Sequence, residues 1–272
     1  MPELPEVETV RRGLAPVLQG HRLSRVITRR TDLRWPLPDG FGQRLTNRQV
    51  IAVARRAKFL TIHLDNDIIW IAHLGMSGRL RLVPSTTPIE KHDHVDLLLE
   101  NGHCVRFRDP RRFGSVTWVS GDPMMSPYLY HLGPEPLVDD FDGRYLYTRA
   151  RGRRTAVKNF IMDGRIVVGV GNIYASEALF RSGIRPTRAA GRIALERYSL
   201  LVTAIQSVLG EAIAAGGTTL RDYSRVTGEP GYFEQALKVY ERQGQPCEAC
   251  GDLINRKVIG QRASYYCPSC QH

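Results

Sequence analysis

Four cysteines near the end of the chain, spaced Cys247-x2-Cys250-x16-Cys267-x2-Cys270, constrain the fold more than any other feature. Two C-x2-C knuckles at this spacing present four thiolates to one tetrahedral Zn²⁺ from two β-turns, the arrangement of a zinc ribbon. A pair of disulfides is the competing reading, and the other end of the chain opposes it. The first twenty residues carry Glu3, Glu6 and Glu8 and no uninterrupted apolar run, so no secretory signal is visible. In a reducing compartment such paired knuckles usually mean metal. The expectation is one structural Zn²⁺ per chain, bound entirely by cysteine, in a ribbon spanning 242–272 that is too short to fold without it. The fifth cysteine, Cys104, lies in the strand-like run His103-Cys104-Val105-Arg106-Phe107 and reads as a core residue.

At 272 residues the chain can hold two domains plus a small metal-stabilised appendage, and 42% hydrophobic content supports real cores. No stretch is long and apolar enough to span a membrane. A formal net charge of +11 favours a polyanionic partner, nucleic acid first and an anionic membrane surface second. Placement sharpens this: Arg149, Arg151, Arg153, Arg154 and Lys158 fall within ten residues without an acid, and Arg106, Arg108, Arg111 and Arg112 crowd a second segment. Such clusters suit the closely spaced phosphates of a duplex, with a merely solvated basic face as the alternative.

The apolar residues Leu4, Val7, Val10, Leu14 and Val17 recur at helical spacing, with acids early and Arg11 and Arg12 later, as the helix dipole prefers. Short runs rich in β-branched and aromatic residues follow at 23–28, 50–54, 59–64, 68–73, 95–99, 105–108 and 115–119, separated by turn signals, which predicts a β-sandwich. Segments 133–136 and 139–143 read as a linker. Beyond it, Leu195, Tyr198, Leu201, Val202, Ile205, Val208, Leu209, Ala212 and Ile213 trace one face of a long helix that Gly216 and Gly217 can end. Upstream, Gly169-Val170-Gly171-Asn172 opens a helix over 173–181, and a glycine turn there leaves backbone N–H groups free for a phosphate.

Together the motifs match a known family. Pro2-Glu3-Leu4-Pro5-Glu6-Val7-Glu8-Thr9, Arg55-Arg56-Ala57-Lys58, His73-Leu74-Gly75-Met76-Ser77-Gly78, Lys91-His92-Asp93-His94, Asp109-Pro110-Arg111-Arg112-Phe113-Gly114, Val168-Gly169-Val170-Gly171-Asn172-Ile173-Tyr174-Ala175-Ser176-Glu177 and the ribbon with Gln261-Arg262 run from one end of the chain to the other. The chain closely resembles the formamidopyrimidine-DNA glycosylases, bacterial base-excision enzymes of the helix-two-turn-helix superfamily that also contains endonuclease VIII. The resemblance implies an α+β architecture: an N-terminal β-sandwich flanked by helices (1–134), a helix-two-turn-helix domain (135–241) and the C-terminal zinc ribbon (242–272). It implies a cytoplasmic, monomeric enzyme acting on double-stranded DNA that carries oxidised bases or abasic sites, with no membrane partner.

The chemistry can be argued beside the resemblance. Once Met1 is removed, Pro2 offers a secondary amine with a pKa of about 8 or somewhat above, so a neutral fraction exists near neutral pH. Attack at deoxyribose C1′ expels the base and leaves an iminium that acidifies the C2′ proton and permits strand cleavage. The family assigns Glu3 the proton donation in base loss and ring opening, Lys58 that in β-elimination and Arg262 that in δ-elimination. Arginine parts with a proton poorly, so phosphate binding is the firmer role for Arg262. Glu3 and Glu6 also read as ordinary first-turn helix acids, and for Glu6 that reading is kept.

Chemistry on a base inside a duplex requires flipping it out and filling the gap. The resemblance makes Met76, Arg111 and Phe113 the void-filling trio, His92, Arg153, Lys158 and Asn172 phosphate contacts, 216–232 a mobile loop over the flipped base, and Glu177 a residue that helps read the base or hold the N-terminus. Oxidised purines, above all 8-oxoguanine and formamidopyrimidines, are the expected substrates. The alternatives are an endonuclease VIII-like specificity for oxidised pyrimidines, which Leu4 and the Arg111 and Phe113 pair oppose, and a non-catalytic zinc-dependent DNA-binding protein in which Pro2 never becomes a terminus.

Overall fold

A computed structural model describes residues 2–138, 141–218 and 236–272. The chain divides into two compact units, Met1–His131 with Ala215–Tyr232, and Leu132–Ala214 with Phe233–His272. The ribbon is grouped with the helices, and the chain returns to the first unit after the long helix.

In the first unit the expected strands form, together with one more. Strands β1 (Arg22–Thr28), β2 (Arg48–Arg56), β3 (Phe59–Leu64), β4 (Ile68–His73), β5 (Arg79–Pro84), β6 (Asp93–Leu99), β7 (His103–Arg108) and β8 (Ser115–Ser120) make a ladder ordered β5-β7-β6-β1-β2-β3-β4-β8. Two rungs, Arg22↔Gln49 and Leu23↔Arg48, join β1 to β2, so the ladder divides there into two four-stranded antiparallel halves. One core takes side chains from both: Leu23, Val95, Leu97 and Phe107 from one half, Leu60, Ile62, Trp70 and Val116 from the other. Helix α1 (Leu4–Leu18) lays Val7, Val10, Leu14 and Leu18 into the same core. Each such side chain contributes roughly 1.5–3 kcal/mol on burial, so this unit stands on apolar packing. The unexpected strand, β5, alternates Arg79-Leu80-Arg81-Leu82, a short and charged pattern that suits its place at the end of the ladder. A short helix, α2 (Phe41–Leu45), packs Phe41 and Leu45 on the core.

The second unit holds α3 (Gly143–Ala150), α4 (Val157–Met162), α5 (Asn172–Arg181), α6 (Leu195–Ala214) and the hairpin β9 (Asn255–Ile259) with β10 (Arg262–Tyr266). The buried stripe of α6 is Tyr198, Leu201, Val202, Ala204, Ile205, Val208, Leu209 and Ala212, close to the face read from the periodicity. The last residues of the expected linker are instead a helix start: Asp142 caps α3, its Oδ1 accepting from Tyr145 N–H at 2.6 Å. Gly143 is required there, because a Cβ at that position would lie 2.4 Å from Ser199 Oγ and 2.7 Å from Ser199 Cα on α6. The ribbon has a very small apolar cluster, Val239, Cys247, Ile254 and Cys267, with Phe180, Tyr265 and Cys270 against it. Among the described residues no helix is long and apolar enough to cross a membrane.

Candidate active site and zinc centre

The start of the chain is tightly held. Pro2 is buried, and Glu3, 2% exposed, is the N-cap of α1. Its N–H donates to Glu6 Oε2 at 2.7 Å, one half of a capping box, while Glu6 Oε1 accepts from Thr218 N–H at 2.9 Å. Glu6 is therefore more than a first-turn acid: it is 2% exposed and ties the lead-in of α1 to the residues that follow α6. The Glu3-x-x-Glu6 spacing carried that signal in the sequence. Nearly all of 216–232, the expected loop over the base, lies outside the described residues.

Lys58 occupies the two-residue turn between β2 and β3, after Ala57 in a left-handed conformation (φ 56°) whose carbonyl accepts from Arg55 Nη1 at 2.8 Å. Close to it stands His73 at the end of β4, which sequence reasoning assigned no role. Burial, and then the positive charges of Lys58 and Arg34, push its imidazole down to about 4. The neutral ring accepts the Gly75 N–H at Nδ1, 3.0 Å away, which fixes the residue before Met76 in the loop that follows β4.

Of the expected trio, Arg111 and Phe113 lie side by side, and Met76 follows Gly75, which approaches the backbone of Phe113 and Gly114. Met76 is half-buried in the 74–78 loop, Phe113 is 44% exposed, and the Arg111 guanidinium lies 4.9 Å from the centre of the Phe113 ring. His92, also in this unit, has a left-handed backbone (φ 77°) and accepts at its carbonyl from Asp109 N–H at 3.1 Å. The basic cluster around 106–112 does not survive as one surface. Arg106 is 2% exposed and makes a bidentate pair with Asp96 at 2.9 and 3.1 Å, whereas Arg111 and Arg112 are exposed.

In the second unit the residue after Arg262 is the meeting point. Ala263 O accepts from Lys158 Nζ and from Asn172 Nδ2, each at 3.1 Å, and Lys158 Nζ also donates to Ser264 Oγ at 2.7 Å. Arg262 itself is exposed at the first rung of β10. Lys158, expected at a phosphate, is fully buried here, and its ammonium fastens β10 to α4. Asn172, the first residue of α5, also reaches Tyr240 Oη at 3.4 Å. Arg153 is exposed, with its guanidinium 5.7 Å from the Phe160 ring centre. Glu177 is completely buried and accepts three backbone N–H groups, from Lys238, Val239 and Tyr240, at 2.8 to 3.0 Å. Burial pushes its carboxyl above the ordinary value in spite of those three donors. Its described partners are thus the backbone leading into the ribbon.

The four ribbon sulfurs lie within 4.8 Å of one another, with Cys250 Sγ and Cys267 Sγ at 3.4 Å and Cys247 Sγ and Cys270 Sγ at 3.9 Å. Zn–S bonds of about 2.3 Å in a tetrahedron put sulfurs about 3.8 Å apart, so the donor set fits one Zn²⁺ and leaves no position open for substrate. Cys267 N–H donates to Gln271 Oε1 at 2.9 Å, and Gln271 Nε2 donates to Ile184 O at 2.9 Å, which anchors the second knuckle to the helical scaffold.

Comparison with known proteins matches this arrangement along its whole length. The formamidopyrimidine-DNA glycosylase N-terminal domain matches residues 1–116, the H2TH domain of the same glycosylases matches 132–224, and a zinc finger found in FPG and IleRS matches 244–272. The chain belongs to the formamidopyrimidine-DNA glycosylase family. Relatives of that name from Nitrosococcus oceani and Stenotrophomonas maltophilia are each 55% identical, with full coverage of both chains. Among solved structures, the formamidopyrimidine-DNA glycosylase of Thermus thermophilus superposes with a TM-score of 0.90 at 38% identity, covering 99% of this chain and 98% of that one. A Lactococcus lactis variant in complex with a Fapy-dG containing DNA gives 0.92 at 32% identity with full coverage of both. Formamidopyrimidine-DNA glycosylases are DNA glycosylases of base excision repair, and that is the activity of this chain.

Proposed function

We propose that the chain removes oxidised purines, 8-oxoguanine and formamidopyrimidines, from duplex DNA through a Schiff base at Pro2 and then cleaves the strand by β,δ-elimination. The observation that carries this reading is the fixed lead-in to α1, in which Pro2 and Glu3 are buried together and the Glu6 carboxylate holds the Glu3 amide. Removal of Met1 makes Pro2 a secondary amine, whose pKa of about 8 leaves a neutral, nucleophilic fraction. Its lone pair forms a bond to C1′ as the glycosidic bond breaks and the electrons leave with the base, which takes up a proton. Glu3, adjacent to the amine, supplies a proton to the opening sugar ring, and the product is an iminium between Pro2 N and C1′. Loss of the C2′ proton expels the 3′ phosphate; loss of the C4′ proton expels the 5′ phosphate. Lys58 and Arg262 are assigned to these departing phosphates, Arg262 by binding charge rather than by giving up a proton.

Met76, Arg111 and Phe113 fill the space the base vacates. The thioether and ring wedge the step, and the guanidinium faces the orphaned base. His92, Arg153 and Asn172 contact phosphates, with Asn172 at the opening turn of α5. We place the enzyme in the cytoplasm as a monomer on double-stranded DNA, with its zinc serving the fold of the ribbon. Support comes from the full-length match to relatives bearing this name and from neighbours solved with lesion-containing and abasic DNA.

The deciding experiment is borohydride trapping on a duplex with 8-oxoguanine opposite cytosine, followed by peptide mapping. An adduct at Pro2 is expected. Trapping on thymine glycol but not on 8-oxoguanine would overturn the purine specificity, and an adduct elsewhere would overturn the role of Pro2.

A further inference from the structure

The geometry points to Asp109 as the residue that positions the whole void-filling trio, an inference that rests on the role just proposed for Met76, Arg111 and Phe113. Those three side chains come from two loops, 74–78 after β4 and 109–114 between β7 and β8, and neither loop has regular backbone pairing of its own. Asp109 is 0% exposed and lies at the centre of both. Its Oδ1 accepts from Ser77 Oγ at 2.6 Å and its Oδ2 from Gly114 N–H at 2.7 Å. Ser77 Oγ in turn accepts from Arg111 N–H at 3.2 Å. One carboxylate therefore reaches the neighbour of Met76, the backbone of Arg111 and the neighbour of Phe113.

The backbone of Asp109 extends the network outward. Its carbonyl accepts from Arg112 N–H at 3.3 Å and lies 2.9 Å from His94 Nε2, while its N–H donates to His92 O. Sterics make the clamp close. A Cβ on Gly75 would lie 2.3 to 2.4 Å from backbone atoms of Phe113 and Gly114, and one on Gly114 would lie 3.0 Å from Asp109 Oδ2. The two loops thus touch backbone to backbone, and the carboxylate supplies the hydrogen bonds that such buried contact demands. A wedge made of one thioether, one guanidinium and one ring can hold a base step apart only if its parts do not retreat separately. Rigid support of that kind is what a buried, fully engaged carboxylate gives.

Asp109→Asn places an NH₂ where one of two acceptors is needed. Gly114 N–H cannot reverse its direction, so the link to Ser77, and through it to Arg111, is the one disturbed. Positioning and plain stability are separable because flipping a damaged base needs the wedge, whereas an abasic site has no base to unstack. Excision from a duplex with 8-oxoguanine opposite cytosine and strand cleavage at a preformed abasic site are measured side by side. Asp109→Asn is expected to slow excision by about tenfold or more with cleavage at the abasic site within roughly threefold of the parent, a factor of ten being 1.4 kcal/mol of activation free energy. Ser77→Ala, which leaves Asp109 in place and removes the shared hydroxyl, is expected to repeat the selectivity at smaller size. Should Asp109→Asn fail to fold, Ser77→Ala decides alone. No loss, or equal losses on both substrates, in the folded variants would overturn the assignment of Asp109. Phe113→Ala in the same assay isolates the underlying reading: if it too leaves excision unchanged, it is the void-filling role that fails.

Discussion

Lys58 and Arg262 both stand at the turn of a tight antiparallel hairpin, yet the two hairpins are kept in place by different physics. The β2–β3 hairpin rests on a core to which two strand layers and α1 contribute, and Leu60 and Ile62, a few residues from Lys58, are 0% exposed. The β9–β10 hairpin turns through Gly260 and Gln261, both left-handed, and its own apolar cluster includes two of the metal-binding cysteines. In the sandwich a basic residue is held by apolar area. In the ribbon it is held by metal coordination and by the two polar ties from Lys158 and Asn172. Comparable local geometry thus follows from unlike sources of free energy, and each source has its own way to fail.

Removing zinc should break the comparison most severely, because metal binding supplies an apparent 10–16 kcal/mol to sulfur-bound fingers of this size. A strong chelator, or Cys267→Ser, is expected to abolish hydrogen-exchange protection in β9 and β10 while β3 and β4 keep theirs. Equal loss in both would mean that the ribbon is not an independent metal-held element. The converse test, Leu60→Ala, opens a cavity in the sandwich and is expected to lower unfolding free energy by about 2–5 kcal/mol, read by denaturant titration, with zinc content unchanged.

His73 sharpens the comparison through pH. The unfolded chain takes up the imidazole proton near its ordinary value of about 6.5 and the folded chain only near 4. Between those values the unfolded form binds more protons, so stability falls as pH drops through the window, by at most roughly 3 kcal/mol. His73→Gln should flatten that acid limb, and an unchanged limb would show that His73 titrates normally. The smallest effect is expected at Glu177→Gln. An amide still accepts from Val239 and Tyr240 but turns a donor toward Lys238 N–H, at about 1–2 kcal/mol. Faster exchange confined to the amides of 238–240 would register it.

Much of this was legible in the chain because it lies in local pattern. The strand runs, the α6 stripe and the cysteine spacing each reflect a periodicity or a ligand geometry that needs no tertiary information. What stayed hidden depends on distant partners. Helices α3 and α4 lie inside an arginine-rich stretch whose charge obscured the cap at Asp142 and the buried side of α4. The partners of Lys158 stayed hidden because nothing within its own segment reveals that Ala263 and Ser264, over a hundred residues away, take its ammonium. Glu6 and Asp109 were present in quoted motifs, but their work is done through backbone amides, and only the fold says which amides arrive.

The fate of Lys158 and Arg106 carries a lesson for any polyanion that meets this protein. The sequence counts 38 lysines and arginines and a formal surplus of +11. The fold withdraws some of those charges from view. Arg106 is buried against Asp96, Lys158 is buried beneath β10, and the largely covered Arg11 and Arg55 join the exposed Arg12 around Glu8, whose carboxyl, despite the upward push of burial, they hold below its ordinary range. The electrostatic footprint offered to a duplex is accordingly narrower than the composition advertises. The ions released on binding will count the cations that face the phosphates, and the ledger of the sequence will overstate them.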